Sequence, residues 1–282
     1  MKFNQTSAEI FIPDGHPTDQ ALTRTTHLAI SAHQDDLEIM AAAPIIECYQ
    51  REDRWFTGVV LTDGRGSPRA NLYYAYDDEA MHAVRIKEQK KAAVIGEYAA
   101  QILLDYPSQM VKDSAYLQPI EDITSVLLAT QPQYVYTHNM ADKHDTHVAV
   151  ALRTLAAIRG LPAADRPLKL YGCEAWRSLD WLVDNDKILL DLSEHENLQA
   201  ALLGVFDSQI SGGKRYDLAS LGRRRANATY LDPHSVDDSN GLLYAMDLTP
   251  LIEDPALDVA TFVDSVIQRF AGDVRDRLSK YI

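Results

Sequence analysis

The sequence predicts an α/β fold in which a mainly parallel sheet is covered by helices on both faces, with an elaboration at the C-terminal end. Apolar runs of strand length alternate with helix-length amphipathic segments across residues 27–205, the signature of βαβ units. No Ser/Gly/Pro-rich linker divides the 282 residues and no internal repeat breaks the alternation. The residues with metal-ligand or acid–base chemistry cluster directly after the apolar runs, and in open α/β sheets ligands bind beyond the carboxyl ends of strands.

Strands are expected at 27–32, 55–62, 101–104, 134–137, 168–174 and 187–192, and helices at 37–50, 78–100, 120–129, 146–158 and 195–205. The helix over 78–100 opens on Asp78 and Glu79, which favour a helix N-terminus, and carries Gly96 near its end as a capping glycine. Consecutive strand–helix units of this size connect parallel strands. The pattern changes after residue 210. Gly212-Gly213 precedes a basic helix (Lys214, Arg215, Arg223, Arg224, Arg225), followed by an acidic loop at 232–238, a short strand at 242–247 and a closing helix at 256–281. We read residues 210–282 as an added part packed on the same core, so that residues 1–282 form a single α/β domain.

Lys and Arg number 27 against 41 Asp and Glu, a net charge of −14. Such a chain repels polyanions, which excludes nucleic acid and an anionic membrane surface as expected partners but leaves room for one small anionic ligand. The two cysteines, Cys48 and Cys173, fall in an expected helix and strand and read as buried thiols. With no Cys-x-x-Cys, a metal site would have to use nitrogen and oxygen ligands. The N-terminal stretch Met1-Lys2-Phe3-Asn4-Gln5-Thr6 has no apolar core of a signal peptide, and no long uncharged apolar stretch follows, so a soluble cytoplasmic protein is expected.

Two clusters carry the chemistry. Ala32-His33-Gln34-Asp35-Asp36-Leu37-Glu38 follows the apolar run Leu28-Ala29-Ile30, and His138-Asn139-Met140-Ala141-Asp142-Lys143-His144-Asp145-Thr146-His147 follows Tyr134-Val135-Tyr136. Asp63-Gly64-Arg65-Gly66 stands after the second strand, so a parallel sheet brings all three to one end. Neighbouring residues at a helix start point roughly 100° apart. Asp35 and Asp36 therefore divide the work: one ligates a cation and the other reaches past it to a bound water. This arrangement suits hydrolysis by zinc, where an open coordination position holds a water acidified towards pKa ~7 and a nearby carboxylate takes its proton. His144 and His147, three residues apart, share a helix face, so that one can ligate while the other meets a substrate oxyanion. Taken singly, Asp35-Asp36 could cap a helix and the His pair could be inert; it is their joint occurrence at strand ends that favours a site.

Other motifs carry less. Gly64-Arg65-Gly66-Ser67-Pro68-Arg69 begins like a dinucleotide fingerprint, but Arg69 stands at the third glycine position and Pro68 interrupts the helix. No Walker A or Gly-x-Ser-x-Gly element is present. His195-Glu196 opens like a zincin helix, but Gln199 occupies the second ligand position. The run Arg223-Arg224-Arg225 reads first as a solvated helix face and second as an anchor for a polar ligand.

The two clusters resemble those of the zinc-dependent de-N-acetylase family that includes the enzyme acting on N-acetylglucosaminyl-phosphatidylinositol and the bacterial deacetylases of the mycothiol and bacillithiol pathways. The family pattern is Ala-His-Pro-Asp-Asp-x-Glu, followed by His-x-x-His within a His-Pro-Asp-His-like run. Here these read Ala32-His33-Gln34-Asp35-Asp36-Leu37-Glu38 and His144-Asp145-Thr146-His147. Leu61-Thr62-Asp63-Gly64, Arg85-x-x-Glu88 and Ser208-Gln209 add support, and the likeness spans about residues 27–230. It implies a Rossmann-like α/β domain with an added C-terminal part. It further implies that His33, Asp36 and His147 bind Zn2+, that Asp35 is the general base, and that His144 stabilises the oxyanion or assists the leaving amine, with Asp142 orienting His144. Other divalent transition metals suit the same ligands. Two departures stand out: Gln34 replaces the usual proline, and Asp145-Thr146 replaces Pro-Asp.

The implied reaction hydrolyses an N-acetyl group from an N-acetylglucosamine-type glycoside or related small amide. Arg65, Arg69 and Arg85 are candidate contacts for hydroxyls or an anionic substituent, while Glu174 and Trp176 fit a pocket wall and ordinary packing equally well. The partner is then a small N-acetylated molecule, and a homo-oligomer is compatible with the family. Two alternatives stay open: a non-catalytic sugar-binding member of the same fold, and an unrelated nucleotide-binding α/β protein.

Overall fold

The computed structural model describes residues 1–282 and contains strands β1 (Glu9–Phe11), β2 (His27–Ser31), β3 (Phe56–Thr62), β4 (Ala100–Tyr106), β5 (Tyr134–His138), β6 (Lys169–Cys173), β7 (Lys187–Asp191) and β8 (Leu242–Asp247). They form one sheet in the order β1-β4-β3-β2-β5-β6-β8-β7. The five strands from β4 to β6 in that order pair parallel, as the βαβ reading expects. β1 is antiparallel on one edge, and β8 runs antiparallel between β6 and β7.

From β2 the chain winds outward through β3 and β4, then returns to lay β5 on the other side of β2 and continues to β6. Strand order therefore reverses between β2 and β5, and the loops leaving their carboxyl ends diverge to opposite faces. That is the switch point at which open α/β sheets form a crevice. The loop after β2 carries His33 to Asp36, and the loop after β5 carries Asp142 to His147.

Strand side chains alternate between two apolar layers. Leu28, Ile30, Val59, Leu61, Ile102 and Leu104 face one layer together with Val150, Leu155 and Ile158 of the helix Asp145–Gly160. Ala29, Phe56, Val60 and Leu103 face the other, with Ala92 and Ala93 of the helix Asp78–Ile95 and Leu198 and Leu202 of the helix Glu196–Gly204. Both faces are covered, so the central strands read as continuous apolar runs.

The single helix expected over 37–50 is two short helices, Asp36–Met40 and Ala42–Cys48, with a break at Ala41 (φ −115°, ψ 25°). Pro44 explains the break: it offers no N–H to the carbonyl of Met40, and its ring collides with that carbonyl in a continuous helix. The helix expected to run to residue 100 stops at Ile95. The capping glycine, Gly96, keeps a negative φ of −84°, and Glu97 takes the left-handed conformation instead (φ 52°). β1 and the short helices Thr18–Thr23, Ser108–Lys112, Asp207–Ile210 and Thr249–Glu253 gave no readable period, being too short for one. No helix is long and apolar enough to cross a membrane.

The helix Tyr216–Thr229 ties the later part of the chain to the switch point. Arg224, read from sequence as part of a solvated face, is 2% exposed. It donates to the carbonyl of Glu38 at 2.7 Å and to Gln199 Oε1 at 3.2 Å. Burial lowers its pKa to about 10, with Glu174 working against that, so the guanidinium stays charged and grips the open carbonyls at the end of the helix Asp36–Met40. Only Arg225 points outward, to Glu196. Arg224→Met is expected to cost about 2–4 kcal/mol, because two carbonyl partners are left buried. A urea midpoint equal to that of the wild type would show that the clamp carries no load.

Candidate metal centre

The loop after β2 holds an unusual backbone. Asp35 sits in the left-handed region (φ 83°) as the residue before the helix Asp36–Met40. Asp tolerates this conformation better than most residues, but it is kept only where the surroundings fix it. The helix Asp78–Ile95 does the fixing. Gln89 Oε1 accepts the Asp35 N–H at 3.1 Å, Arg85 reaches Asp35 Oδ2 at 3.3 Å, and Arg85 also donates to the carbonyl of Gln34. Gln34 Nε2 donates to the Thr62 carbonyl at 3.1 Å, so a side-chain hydrogen bond to β3 steadies the loop at the position where the related pattern has proline. A Cβ on Gly64 (φ 69°) would strike the Gln34 side chain, which explains the glycine after β3.

The twist at Asp35 sends the two carboxylates apart. Asp36 turns inward and accepts the His33 N–H at 2.7 Å. The same Oδ2 lies 3.1 Å from His33 Nδ1 and 3.2 Å from His147 Nε2. His147 Nε2 is buried and makes no hydrogen bond. The rings of His33 and His147 stand 5.4 Å apart, centre to centre, and one nitrogen each of His33, His144 and His147 fall within 4.8 Å of one another. Bonds of ~2.0–2.2 Å to a tetrahedral ion place its ligand atoms roughly 3.3 Å apart. The donor set His33, Asp36 and His147 therefore fits one divalent cation, and the orphaned His147 nitrogen is the observation that argues for it.

His138 completes a second group with Asp36 and His147. Its Nε2, 3.6 Å from Asp36, already accepts the Ala32 N–H at 3.0 Å. With that lone pair committed, His138 serves as a wall stacked 3.7 Å behind the His147 ring. Asp142, expected to orient His144, touches only the backbone N–H of that residue, at 3.0 Å. Its Oδ2 instead lies 3.5 Å from His147 Nδ1 and accepts the Trp176 N–H at 3.1 Å. The cause is local: Asp142 closes the turn before the helix Asp145–Gly160, which aims its carboxylate past His144 at the first turn of that helix.

Charges follow this geometry. Burial opposes ionisation of Asp36, but His147 and His33 hold it well below the usual carboxylate range. Burial likewise opposes protonation of His147, and Asp36 with Asp142 outweighs it, pushing His147 up to about 9. Burial raises Asp35 to about 6 against the pull of Arg85. His144 is lowered to about 4 by burial and by the neighbouring imidazoles, so it is neutral at ordinary pH.

These groups sit at the head of a cleft of about 670 Å³. His33, Asp35, Asp36, His144 and Arg85 line it, together with Trp176, Tyr216, Lys112, Lys214 and Arg223. Arg65 and Arg69 do not. Arg65 pairs with Asp63 (3.1 Å) and Glu79 (3.0 Å), and Arg69 with Asp78 and the Tyr76 carbonyl (3.2 Å), so both brace the loop after β3. Glu174 is wholly buried and accepts the N–H groups of Leu179 and Tyr244, a packing role, whereas Trp176 faces the cleft. The sequence reading missed Lys112, Lys214 and Tyr216 as wall residues. For Lys214 and Tyr216 the only available signal was the polar, aromatic start of the basic helix; Lys112, at the end of the short helix Ser108–Lys112, gave none.

Residues 28–158, which contain every ligand candidate, match the family described as PIG-L, GlcNAc-PI de-N-acetylase. The match covers a little under half of the chain. No curated protein matches the chain significantly. Among solved structures, the chain is similar to N,N'-diacetylchitobiose deacetylase from Pyrococcus horikoshii (16% identity, 78% of this chain and 83% of that one, TM-score 0.57). It is also similar to the A40926 pseudoaglycone deacetylase Dbv21 (19% identity, 79% and 97%, TM-score 0.57). A third similar structure is GalB, the 4-carboxy-2-hydroxymuconate hydratase from Pseudomonas putida (16% identity, 79% and 96%, TM-score 0.60). At these identities the likeness shows the shared α/β fold.

Two further PIG-L-like matches read from sequence become contacts. Glu88 of the helix Asp78–Ile95 accepts the Ser208 N–H at 2.7 Å and its hydroxyl at 2.6 Å, which fastens the cleft wall to the helix that holds Asp35. Glu38, the last residue of the first motif, is buried under Gln89 (2.8 Å) and Tyr98 (2.7 Å), with its Oε2 unpartnered. Burial raises its pKa from 4.5 to about 8 against those two hydrogen bonds. A carboxyl whose folded-state pKa is raised contributes its full stability below the unfolded value and loses it as pH climbs through the folded one. Glu38→Gln is therefore expected to gain on the wild type, by a few kcal/mol at most, as urea unfolding is moved from about pH 5 to about pH 8. Parallel stability profiles would show that Glu38 does not titrate in this window.

Proposed function

We propose that this chain is a divalent-metal-dependent hydrolase, zinc being the first candidate, that removes the N-acetyl group from an N-acetylglucosamine-type glycoside or a related small amide. The observation that carries this reading is the buried Asp36 carboxylate flanked by His33 and His147, whose unsatisfied nitrogen converges on it, at the head of a cleft within the PIG-L-matched residues.

His33, Asp36 and His147 hold the cation, which when bound polarises an acyl carbonyl and acidifies water. The protein's own groups divide the remaining work. Asp35, raised to about 6 by burial and facing the cleft, accepts the proton of the attacking water as general base. Arg85 keeps that carboxylate aimed and prevents it from swinging towards Asp36. His144, neutral and cleft-facing, stands beside His33 with ring centres 5.0 Å apart and donates a hydrogen bond to the oxyanion as the carbonyl carbon becomes tetrahedral. Asp142 orients His147 and is a positioning residue.

On the substrate side the cleft departs from the acidic bulk of the protein. Lys112, Lys214 and Arg223 line it without a carboxylate partner, and Lys214 sits 5.1 Å over the Trp176 ring. This supports an acetylated substrate with an anionic or hydroxyl-rich substituent. N-acetylglucosamine 1-phosphate is expected to be turned over with a kcat/KM about tenfold above that of N-acetylglucosamine, an advantage that Lys214→Ala reduces through KM. Equal kcat/KM values for the two sugars would remove the anionic preference.

The central test is Asp35→Asn. The variant is expected to bind about one zinc per chain while acetate and amine release fall by about 10²–10⁴. Chelation should abolish wild-type turnover and added zinc should restore it. Full activity in metal-stripped protein, or in Asp35→Asn, overturns the proposal.

A further inference from the structure

The closing helix Val259–Leu278 is anchored to the body through one side only. Val259 and Phe262 pack against the core, Val266 is buried, and Arg269 pairs with Asp186 at 2.6 Å. A second apolar stripe adjoins this side and faces solvent, with Phe270 at its border also setting its ring against Trp181, 6.2 Å centre to centre. Ile267, Phe270, Val274 and Leu278, with Tyr281 in the turn that ends the helix, are between 38% and 88% exposed. At about 100° per residue the four helical members fall within an arc of roughly 80°.

The spacing of this stripe is symmetric. Ile267 and Tyr281 stand seven residues either side of Val274, and Phe270 and Leu278 stand four either side. Two copies of one helix can lie antiparallel about a twofold axis only if residue i of one meets j of the other while j meets i. An axis at Val274 meets that condition: Val274 faces its own copy, Phe270 faces Leu278, and Ile267 faces Tyr281. Steps of three and four are also the spacing by which paired helices interlock. The flank is self-complementary as well. Asp273 and Arg277 already pair along the helix at 2.8 Å, and in the antiparallel arrangement Asp273 of each copy comes into reach of Arg277 of the other.

Net charge favours the same contact. Residues 259–282 hold four basic and three acidic side chains on a chain of net charge −14, so two copies approach here with the least repulsion. Acidic and basic residues alternate on the polar face, unlike the uniformly basic face of helices that lie on anionic membranes. We propose that a second copy of this chain docks on this stripe as an isologous antiparallel helix pair centred on Val274.

Sedimentation of the full chain over a concentration series is expected to show a monomer–dimer equilibrium near the micromolar range, as suits a seam of about four turns. Val274→Asp, which places two carboxylates on the axis, should weaken association at least about tenfold with circular dichroism, melting temperature and turnover unchanged. Val274→Cys should form a disulfide with its own copy under mild oxidation, whereas Asp276→Cys on the far face should not; Cys48 and Cys173 are buried and do not compete. A chain that stays monomeric throughout, a dimer indifferent to Val274→Asp, or equal cross-linking at 274 and 276 would overturn the proposal.

Discussion

A carboxylate that is fully enclosed yet ionised dictates the arrangement around it. Asp36 is 4% exposed, and burial alone would drive it to the neutral form. It remains charged because positive character is supplied from two directions, by His33 on its own loop and by His147 from across the sheet. The high proton affinity of His147 expresses the same demand: between Asp36 and His147 the site requires one centre of positive charge, and a divalent cation would meet that requirement with the ligand spacing already present. Asp35, one residue earlier, is freed from this demand by its left-handed backbone, and so keeps an acidity suited to taking up a proton. Adjacent residues thus acquire opposite roles from their surroundings.

The scaffold explains why such a pair can persist. The switch point between β2 and β5 is the one place in the sheet where loops from adjacent strands part and leave room for a ligand. Three buried polar side chains then hold the β2 loop from outside: Arg85 and Gln89 from the helix Asp78–Ile95, and Arg224 from the helix Tyr216–Thr229. Each satisfies a backbone or carboxylate group that the tight loop would otherwise leave without a partner.

Much of this was legible in the sequence, for identifiable reasons. The parallel core was readable because fully buried strands are apolar throughout, and the ligand clusters because they follow those strands directly. What failed to show depended on contacts distant in sequence. Whether Arg224 faces water or the carbonyl of Glu38 is decided by a neighbour 186 positions away. Arg65 and Arg69 resemble substrate contacts until their acidic partners on the 78–79 turn are seen. The orientation of Asp142 turned on a backbone turn rather than on residue spacing. The break at Ala41 was readable, because Pro44 stands in the middle of the expected helix.

The division of labour along the chain follows from the same geometry. All candidate cation ligands and the candidate base fall within residues 28–158, whereas Trp176, Lys214, Tyr216 and Arg223 come from segments beyond them. A cation held by the first set would demand a fixed ligand spacing, which leaves those positions little freedom to vary. The second lines the cleft under no such constraint. Structures that share this fold at 16–19% identity include proteins as different as a chitobiose deacetylase and a muconate hydratase. In this chain the part of the cleft wall outside residues 28–158 is built by Trp176 and by the helix Tyr216–Thr229 with its approach from Lys214, so one fold supplies the His and Asp cluster and separate segments supply the wall that faces it.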